Sequence, residues 1–163
     1  VIDVDREYGA VDERIRPNQI FAVGGLPFPV IDLARGQKIV ATVERELLTP
    51  LGLRTLAHGE RGYAAHYEGD PDRRNLAYHQ GTVWPYLMGP FIEAWVRVNG
   101  DSAAVVASAH ARFLTPLLNG RTEAAGGHLP EIADGDPPFT HRGCPFQAWS
   151  LGEALRMLQA LGF

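Results

Sequence analysis

Between Trp84 and Val98, apolar side chains recur every three or four residues, at Trp84, Leu87, Met88, Phe91, Trp95 and Val98. That period belongs to a helix rather than a strand. The stretch FIEAWVRV inside it is apolar on more than one face, so this helix needs neighbours on two sides. Pro85 suits a first helical position and Asn99-Gly100 a terminus, while Pro90 predicts either a kink or a shift of the helix start. Three further segments share the period. One opens at Asp32, an N-cap by residue type, carries Val40, Val43 and Leu47 on one face, and stops before Pro50 and Gly52. Another opens at Asp101 or Ser102 and uses Val106, Ala109, Phe113, Leu114 and Leu117, with Pro116 in its last turn and Asn119-Gly120 behind it. The last opens near Pro145 and uses Phe146, Trp149, Ala154, Leu155, Leu158 and Leu161. The periodicity therefore predicts helices near 32–48, 84–99, 101–118 and 145–161.

The Asn99-Gly100 joint is tight enough for an antiparallel helical hairpin, whereas 52–77 and 120–144 are long and Gly-rich. Strand signals are weak; Val1–Val4 and parts of 53–67 offer only short pairs. The expected class is all-α in the main, with loops gathered at one end. At 45% apolar content, 163 residues suffice for one core, so one domain is expected. A net charge of −4 with no Lys/Arg run argues against nucleic acid or an anionic membrane as partner. No apolar run approaches the roughly 20 residues of a membrane span, and Asp3, Asp5, Arg6 and Glu7 interrupt the N-terminus as a signal peptide. The single Cys144 excludes an internal disulfide and fits a reducing cytoplasm, the expected location. Histidines at 58, 66, 79, 110, 128 and 141 form neither HxxxH nor HExxH, and Cys144 has no CxxC companion, so no metal or other cofactor is expected. The absence of a Gly-x-Ser-x-Gly elbow and of a phosphate loop disfavours acyl and phosphoryl transfer.

From His128 to Ser150 the chain loses all hydrophobic period and packs Glu131, Asp134 and Asp136 into a Pro/Gly-rich loop. A loop this long in a compact helical chain is usually functional. Together with it, the blocks RPNQIFAV (Arg16–Val23), ELLTPLGLRTL (Glu46–Leu56), YHQGTVWPYLMGPF (Tyr78–Phe91), EIADGDPP (Glu131–Pro138) and RGCPFQAWS (Arg142–Ser150) occur in one order. In that order they resemble the C-terminal part of glycogen debranching enzymes, the amylo-α-1,6-glucosidase domain of archaeal and bacterial type. The resemblance implies an (α/α)6 toroid of which residues 1–163 form the C-terminal portion. It implies hydrolysis of α-1,6-linked glucosyl stubs on glycogen or a related branched α-glucan, with inversion and with Glu131 as general base. The family's general-acid aspartate lies in an upstream GRD-type block that does not occur here, so the isolated chain is expected to be inactive. ADG in EIADG, where an aromatic commonly precedes the Asp, and Arg73-Arg74-Asn75, where an Arg-Asp pair is often found, depart from the family pattern in substrate-contact detail. The start at Val1-Ile-Asp-Val reads as the middle of an element, and half a toroid would leave helix faces open to self-association. Two other readings stand beside this one: another αα-toroid glycosidase of glucoamylase or trehalase type, and a noncatalytic carbohydrate-binding or interaction module.

Inverting hydrolysis needs two carboxyl groups on opposite faces of the sugar, about 6.5–9.5 Å apart. One stays protonated for the leaving group and the other ionised to activate water. Glu131, fixed locally by Pro130, suits the base; its bland alternative is a surface carboxylate or helix cap. Asp134 is a candidate substrate contact, although in DGDPP both it and Asp136 look first like turn residues. Asp70 and Asp72 in EGDPDRR read as a solvated turn. His79 and Gln80 precede a helix start and can point into a pocket mouth, with Trp84 and Tyr67 as stacking surfaces for a sugar ring. Trp84 suits core packing equally well, and Tyr78 and Trp149 read as core residues. Asn18 and Gln19 open a short helix, where Asn18 either caps it or, beside Arg16, meets a glucose hydroxyl. Arg54 binds a hydroxyl, holds a catalytic carboxylate, or forms a structural ion pair.

Overall fold

A computed structural model describes residues 3–4, 11–120 and 126–162. Val1 and Ile2 of the expected N-terminal strand, Asp5 to Glu7, and 121–125 of the second long connection lie outside the described residues. The described chain is mainly helical. Its helices are α1 (Leu33–Glu46), α2 (Pro71–Ala77), α3 (Met88–Asn99), α4 (Ala103–Ala109), α5 (Thr115–Asn119) and α6 (Ala148–Ala160). Among the described residues no helix is long and apolar enough to cross a membrane.

The capping chemistry works as its residue types suggest. Asp32 accepts from the Arg35 amide at 2.9 Å and Ser102 from that of Val105 at 3.4 Å. Pro85–Leu87 forms a separate 3-10 turn, and α3 starts only at Met88. Pro90 thus sits in the first turn, where an amide has no intrahelical partner to lose, and the pattern is met by a later start. Between α4 and α5 the helix widens into one π turn, His110–Leu114, with the Thr115 amide donating to the His110 carbonyl. This wider turn lies directly before Pro116, whose ring would crowd the carbonyl four residues back in a regular helix. The last helix begins at Ala148, three residues after Pro145. Helix α2, within a stretch whose sequence suggests only a turn, has a cap of its own: Asp70 accepts from the Arg73 amide, and Pro71 occupies the first helical position.

Helix α3 is the centre of the core. Met88, Phe91, Ile92, Ala94, Trp95 and Val98 are all buried along it. They meet Ile39, Val40 and Val43 of α1, Ala154 and Met157 of α6, and Phe113 and Leu117 from the α4–α5 segment within one cluster. Phe113 is edge-on to both Phe91 and Trp95, at 5.1 and 5.3 Å between ring centroids. The two-sided apolar pattern of α3 is therefore satisfied by neighbours inside this chain. Helix α6 buries the stripe Ser150, Ala154 and Met157, continued by Leu161 just past its end, with Leu158 packed partly against the core. Phe146, Trp149 and Leu155 fall off that stripe and are about half exposed, which corrects the reading of Trp149 as core.

The strands are the larger surprise. A two-stranded pair joins β1 (Asp3–Val4) to β2 (Val11–Asp12). A five-stranded antiparallel sheet runs in sequence order through β3 (Leu48–Thr49), β4 (Gly52–Arg54), β5 (Val83–Trp84), β6 (Ile132–Ala133) and β7 (His141–Arg142). Strands of two or three residues carry no alternation to read, so the sequence conceals them. Their register places Leu53 opposite Trp84, Val83 opposite Ala133, and Ile132 opposite Arg142. An extended segment from Tyr63 to Tyr67 is laid against this sheet: the Ala64 amide donates to Gln80 O at 2.7 Å and the Gly135 amide to Ala65 O at 2.6 Å. Position 135 must be glycine, because a Cβ there would lie 2.4 Å from Gly81 O and 2.6 Å from the Tyr63 hydroxyl.

Asp134 pins the same region. Its side chain is 3% exposed and accepts from Arg142 at 2.9–3.1 Å and from the Tyr67 amide at 2.9 Å, with His66 Nδ1 at 3.5 Å. Burial pushes the carboxyl upward, but the Arg142 guanidinium and the Tyr67 amide outweigh it and hold it below its ordinary 3.8. A carboxylate lowered on folding stabilises the fold above its unfolded value and loses that contribution as pH falls through the folded one. Asp134→Asn leaves Arg142 without its buried partner and is expected to cost about 2–3 kcal/mol at pH 7. Urea unfolding at pH 7 and pH 3 checks this: the parent should lose more stability on acidification than the variant does.

Candidate active site

Glu131 follows buried Pro130 and enters β6 directly, so its backbone is held by the sheet. Its amide donates to Cys144 O at 2.8 Å, and the Cys144 amide returns a bond to Glu131 Oε2 at 3.0 Å. The Tyr78 hydroxyl donates to Oε1 at 2.5 Å. Each carboxylate oxygen has two acceptor sites, so each keeps one for a further donor such as water. Gly143 makes the turn possible. It adopts φ +65°, and a Cβ there would sit 2.5 Å from Glu131 Oε2.

The aromatics gather around this carboxylate. Tyr78 is edge-on to His79 at 4.7 Å and to Trp84 at 4.9 Å, and lies 5.6 Å from Tyr67. His79 stacks on Trp84 at 5.2 Å with 14° between planes. Burial first, and then Glu131, push the Tyr78 phenol well above its ordinary value, so it remains protonated and a donor. Partial desolvation of the His79 ring, reinforced by Arg16, lowers that histidine and favours the neutral form at pH 7, with one donor and one acceptor nitrogen. Trp84 is 8% exposed and gives its indole N–H to Tyr78 O at 3.1 Å. It therefore packs within the cluster and shows little face to a ligand.

Beside the aromatics lies a polar cleft of about 360 Å³, lined by Asp12, Arg16, Asn18, Thr55, His79 and Gln80 among others. Arg16 organises it: the guanidinium donates to His79 O at 3.0 Å, Thr55 O at 3.2 Å and Gln80 Oε1 at 3.0 Å, and pairs with Asp12 at 3.2 Å. Hydrogen bonding from Arg14 holds Asp12 far below the usual carboxylate range. Asn18 is exposed at the cleft, whereas Gln19 spends its amide on Arg16 O at 2.9 Å. Arg54 donates to Gly135 O at 2.7 Å and lies 3.9 Å from Asp136, and so braces the loop after β6. Asp136 also accepts from Tyr63, whose phenol is pushed up to about 12 by burial and by that carboxylate. A larger cleft, about 490 Å³, runs between α3 and α6 past Ile92, Val96, Met157 and Leu161. Its Glu93 is already paired with Arg97 and Arg156, so the chemistry of the Arg16 cleft is the better guide to a ligand site.

Of the residues singled out in sequence, Glu131, His79 and Tyr67 meet through Tyr78, and Asn18, His79 and Gln80 meet at the Arg16 cleft. Asp134 and Arg54 stand behind them as supports, bound to Arg142 and to the 135–136 loop. Sequence reasoning misses Tyr78, which sits at the C-terminal end of α2 beside His79, and Arg16, whose four partners come from three separate segments.

A family model described as Amylo-alpha-1,6-glucosidase matches residues 1–156. The chain is also similar to the "Glycogen debranching enzyme" of Saccharomyces cerevisiae, at 27% identity over 158 aligned residues. That alignment covers 85% of this chain and 10% of the relative, so the chain spans about a tenth of the length of the curated relative it matches. With nearly the whole chain inside the matched region, this protein belongs to the amylo-α-1,6-glucosidase family.

Proposed function

We propose that this chain supplies the general-base side of a glycosidase that removes α-1,6-linked glucosyl stubs from glycogen or a related branched α-glucan with inversion. The observation that carries the reading is the Glu131 carboxylate, held by the Tyr78 hydroxyl and the Cys144 amide inside an aromatic ring of Tyr67, Tyr78 and His79. In the reaction, Glu131 takes a proton from water as the water oxygen bonds to the anomeric carbon. The bond from that carbon to the leaving oxygen breaks, and a general acid protonates the leaving oxygen. The Arg16 cleft, with Asn18, Gln80 and neutral His79, offers planar donors and acceptors suited to sugar hydroxyls. A noncatalytic binding module would present an open aromatic platform; at this site the Trp84 indole is buried, and Tyr67, Tyr78 and His79 gather around a carboxylate.

As the family resemblance implies, we take the general acid to lie outside these residues, and the aspartates around this site are poorly suited to the role. A general acid must hold its proton near neutral pH, yet Asp12 and Asp134 are both driven the other way by arginine partners. Asp136 is engaged by Tyr63 and Arg54. On this reading, and as the family resemblance implies, the chain is the C-terminal portion of an (α/α)6 toroid. Exposed Phe28, Val30 and Leu33, and exposed Phe146, Trp149 and Leu155, are apolar surface suited to the remainder or to self-association.

Two outcomes test this. In the full-length protein, Glu131→Gln keeps the shape but cannot accept the proton, and glucose release from a limit dextrin should fall roughly 10²–10⁴-fold with an unchanged melting temperature. A variant retaining most of the parent rate would remove Glu131 from the base role. The purified 163-residue chain should release no glucose from the same dextrin. Robust turnover by a monomer, sized in solution alongside the assay, would place the acid within these residues.

A further inference from the structure

A carboxylate that must meet a water molecule at one atom of a sugar has a positional problem before it has a chemical one. Glutamate carries enough rotamer freedom to cost about 1.5–2 kcal/mol when frozen, and a displacement of about 1 Å in a reacting group can cost about 10²-fold in rate. The sheet holds the Glu131 backbone through the Cys144 pairing, but the carboxylate lies at the end of a flexible stem. Two donors fix it: the Cys144 amide on Oε2 and the Tyr78 hydroxyl on Oε1.

Tyr78 is itself unusually well fixed. Its amide donates to Arg74 O at 3.0 Å, closing α2. Its carbonyl accepts from the Thr82 hydroxyl at 2.7 Å and from the Trp84 indole at 3.1 Å. Its ring is edge-on to both His79 and Trp84 and tilted against Tyr67. A rigid phenol, kept protonated by its surroundings, is a permanent donor aimed at one oxygen of a mobile carboxylate. A phenol has only one hydrogen to give, and this one is given to Glu131, so Tyr78 is not available as the general acid.

We propose that Tyr78 is the positioning residue of the catalytic base, its hydroxyl and the Cys144 amide together fixing the plane of the Glu131 carboxylate and leaving one acceptor site on each oxygen for water. The inference rests on the reading of Glu131 as the base.

The test uses the full-length protein and compares Tyr78→Phe, Tyr86→Phe and Glu131→Gln for glucose release from a limit dextrin. Phenylalanine at 78 keeps the ring contacts and removes only the donor. Its kcat should fall about 10–100-fold with KM within about twofold and an unchanged melting temperature, since the loss falls on the reacting geometry rather than on sugar binding. Tyr86→Phe takes a phenol from the same cluster, where Tyr86 is edge-on to Trp84, without touching Glu131, and should keep the parent kcat. A Tyr78→Phe variant with parent kcat, one whose loss lies entirely in KM, one that no longer folds, or one matched by an equal loss in Tyr86→Phe would each overturn the proposal. Failure of the base reading looks different: Glu131→Gln itself would then retain the parent rate.

Discussion

The pairing of β5 with β6, Val83 opposite Ala133, joins two segments far apart in the chain and makes everything around the carboxylate possible. On one side it delivers Tyr78, His79 and Gln80; on the other it delivers Glu131 and Asp134. Closing so long a loop costs entropy before any contact rewards it. The reward comes from several places at once: the sheet pairs on both sides, the Gly135 amide on Ala65 O, Arg54 on Gly135 O, and Asp134 on Arg142 and the Tyr67 amide. Among the described residues no buried side-chain polar atom is left without a partner, so the rim is tied together by its hydrogen bonds rather than left as independent loops.

The charges around this rim fall into two kinds. Asp12, Asp134 and Asp136 face guanidinium or phenol groups and are spent on architecture. Glu131 differs because its donors are neutral, a phenol and a backbone amide, and no arginine ion pair involves it among the described residues. Neutral donors fix a carboxylate in place without the charge pairing that a guanidinium brings. Carboxylates placed together in DGDPP and its flanks thus acquire separate tasks from their surroundings.

Much of the helical scaffold was legible. The three-to-four-residue period locates α1, α3, the α4–α5 segment and α6, and the Asp32 and Ser102 caps work as their side chains suggest. Boundaries moved where proline acts on a single hydrogen bond, as at Pro90, where α3 starts late, and Pro116, which follows a π turn. The five-stranded sheet was legible only at β4, which overlaps the weakly strand-forming 53–67; the rest was not, because strands of two residues have no pattern and their partners are set by tertiary contact. Nor was the Tyr78–Glu131 bond, which depends on register between β5 and β6 rather than on either local sequence. Helix α2 is the intermediate case: Asp70-Pro71 is a cap signal in plain view, but seven mostly exposed residues give it no apolar period.

The central claim, that Glu131 activates the attacking nucleophile, is tested most directly by replacing its function chemically. In the full-length protein, Glu131→Ala should be nearly inactive in water and should recover with added sodium azide. The azide nitrogen needs no base to bond the anomeric carbon, while the bond to the leaving oxygen breaks and that oxygen is protonated by the acid. The account requires the rescued product to be β-glucosyl azide, identified by its anomeric proton in NMR. An alanine variant that azide does not revive, or one that yields the α-anomer, would contradict it.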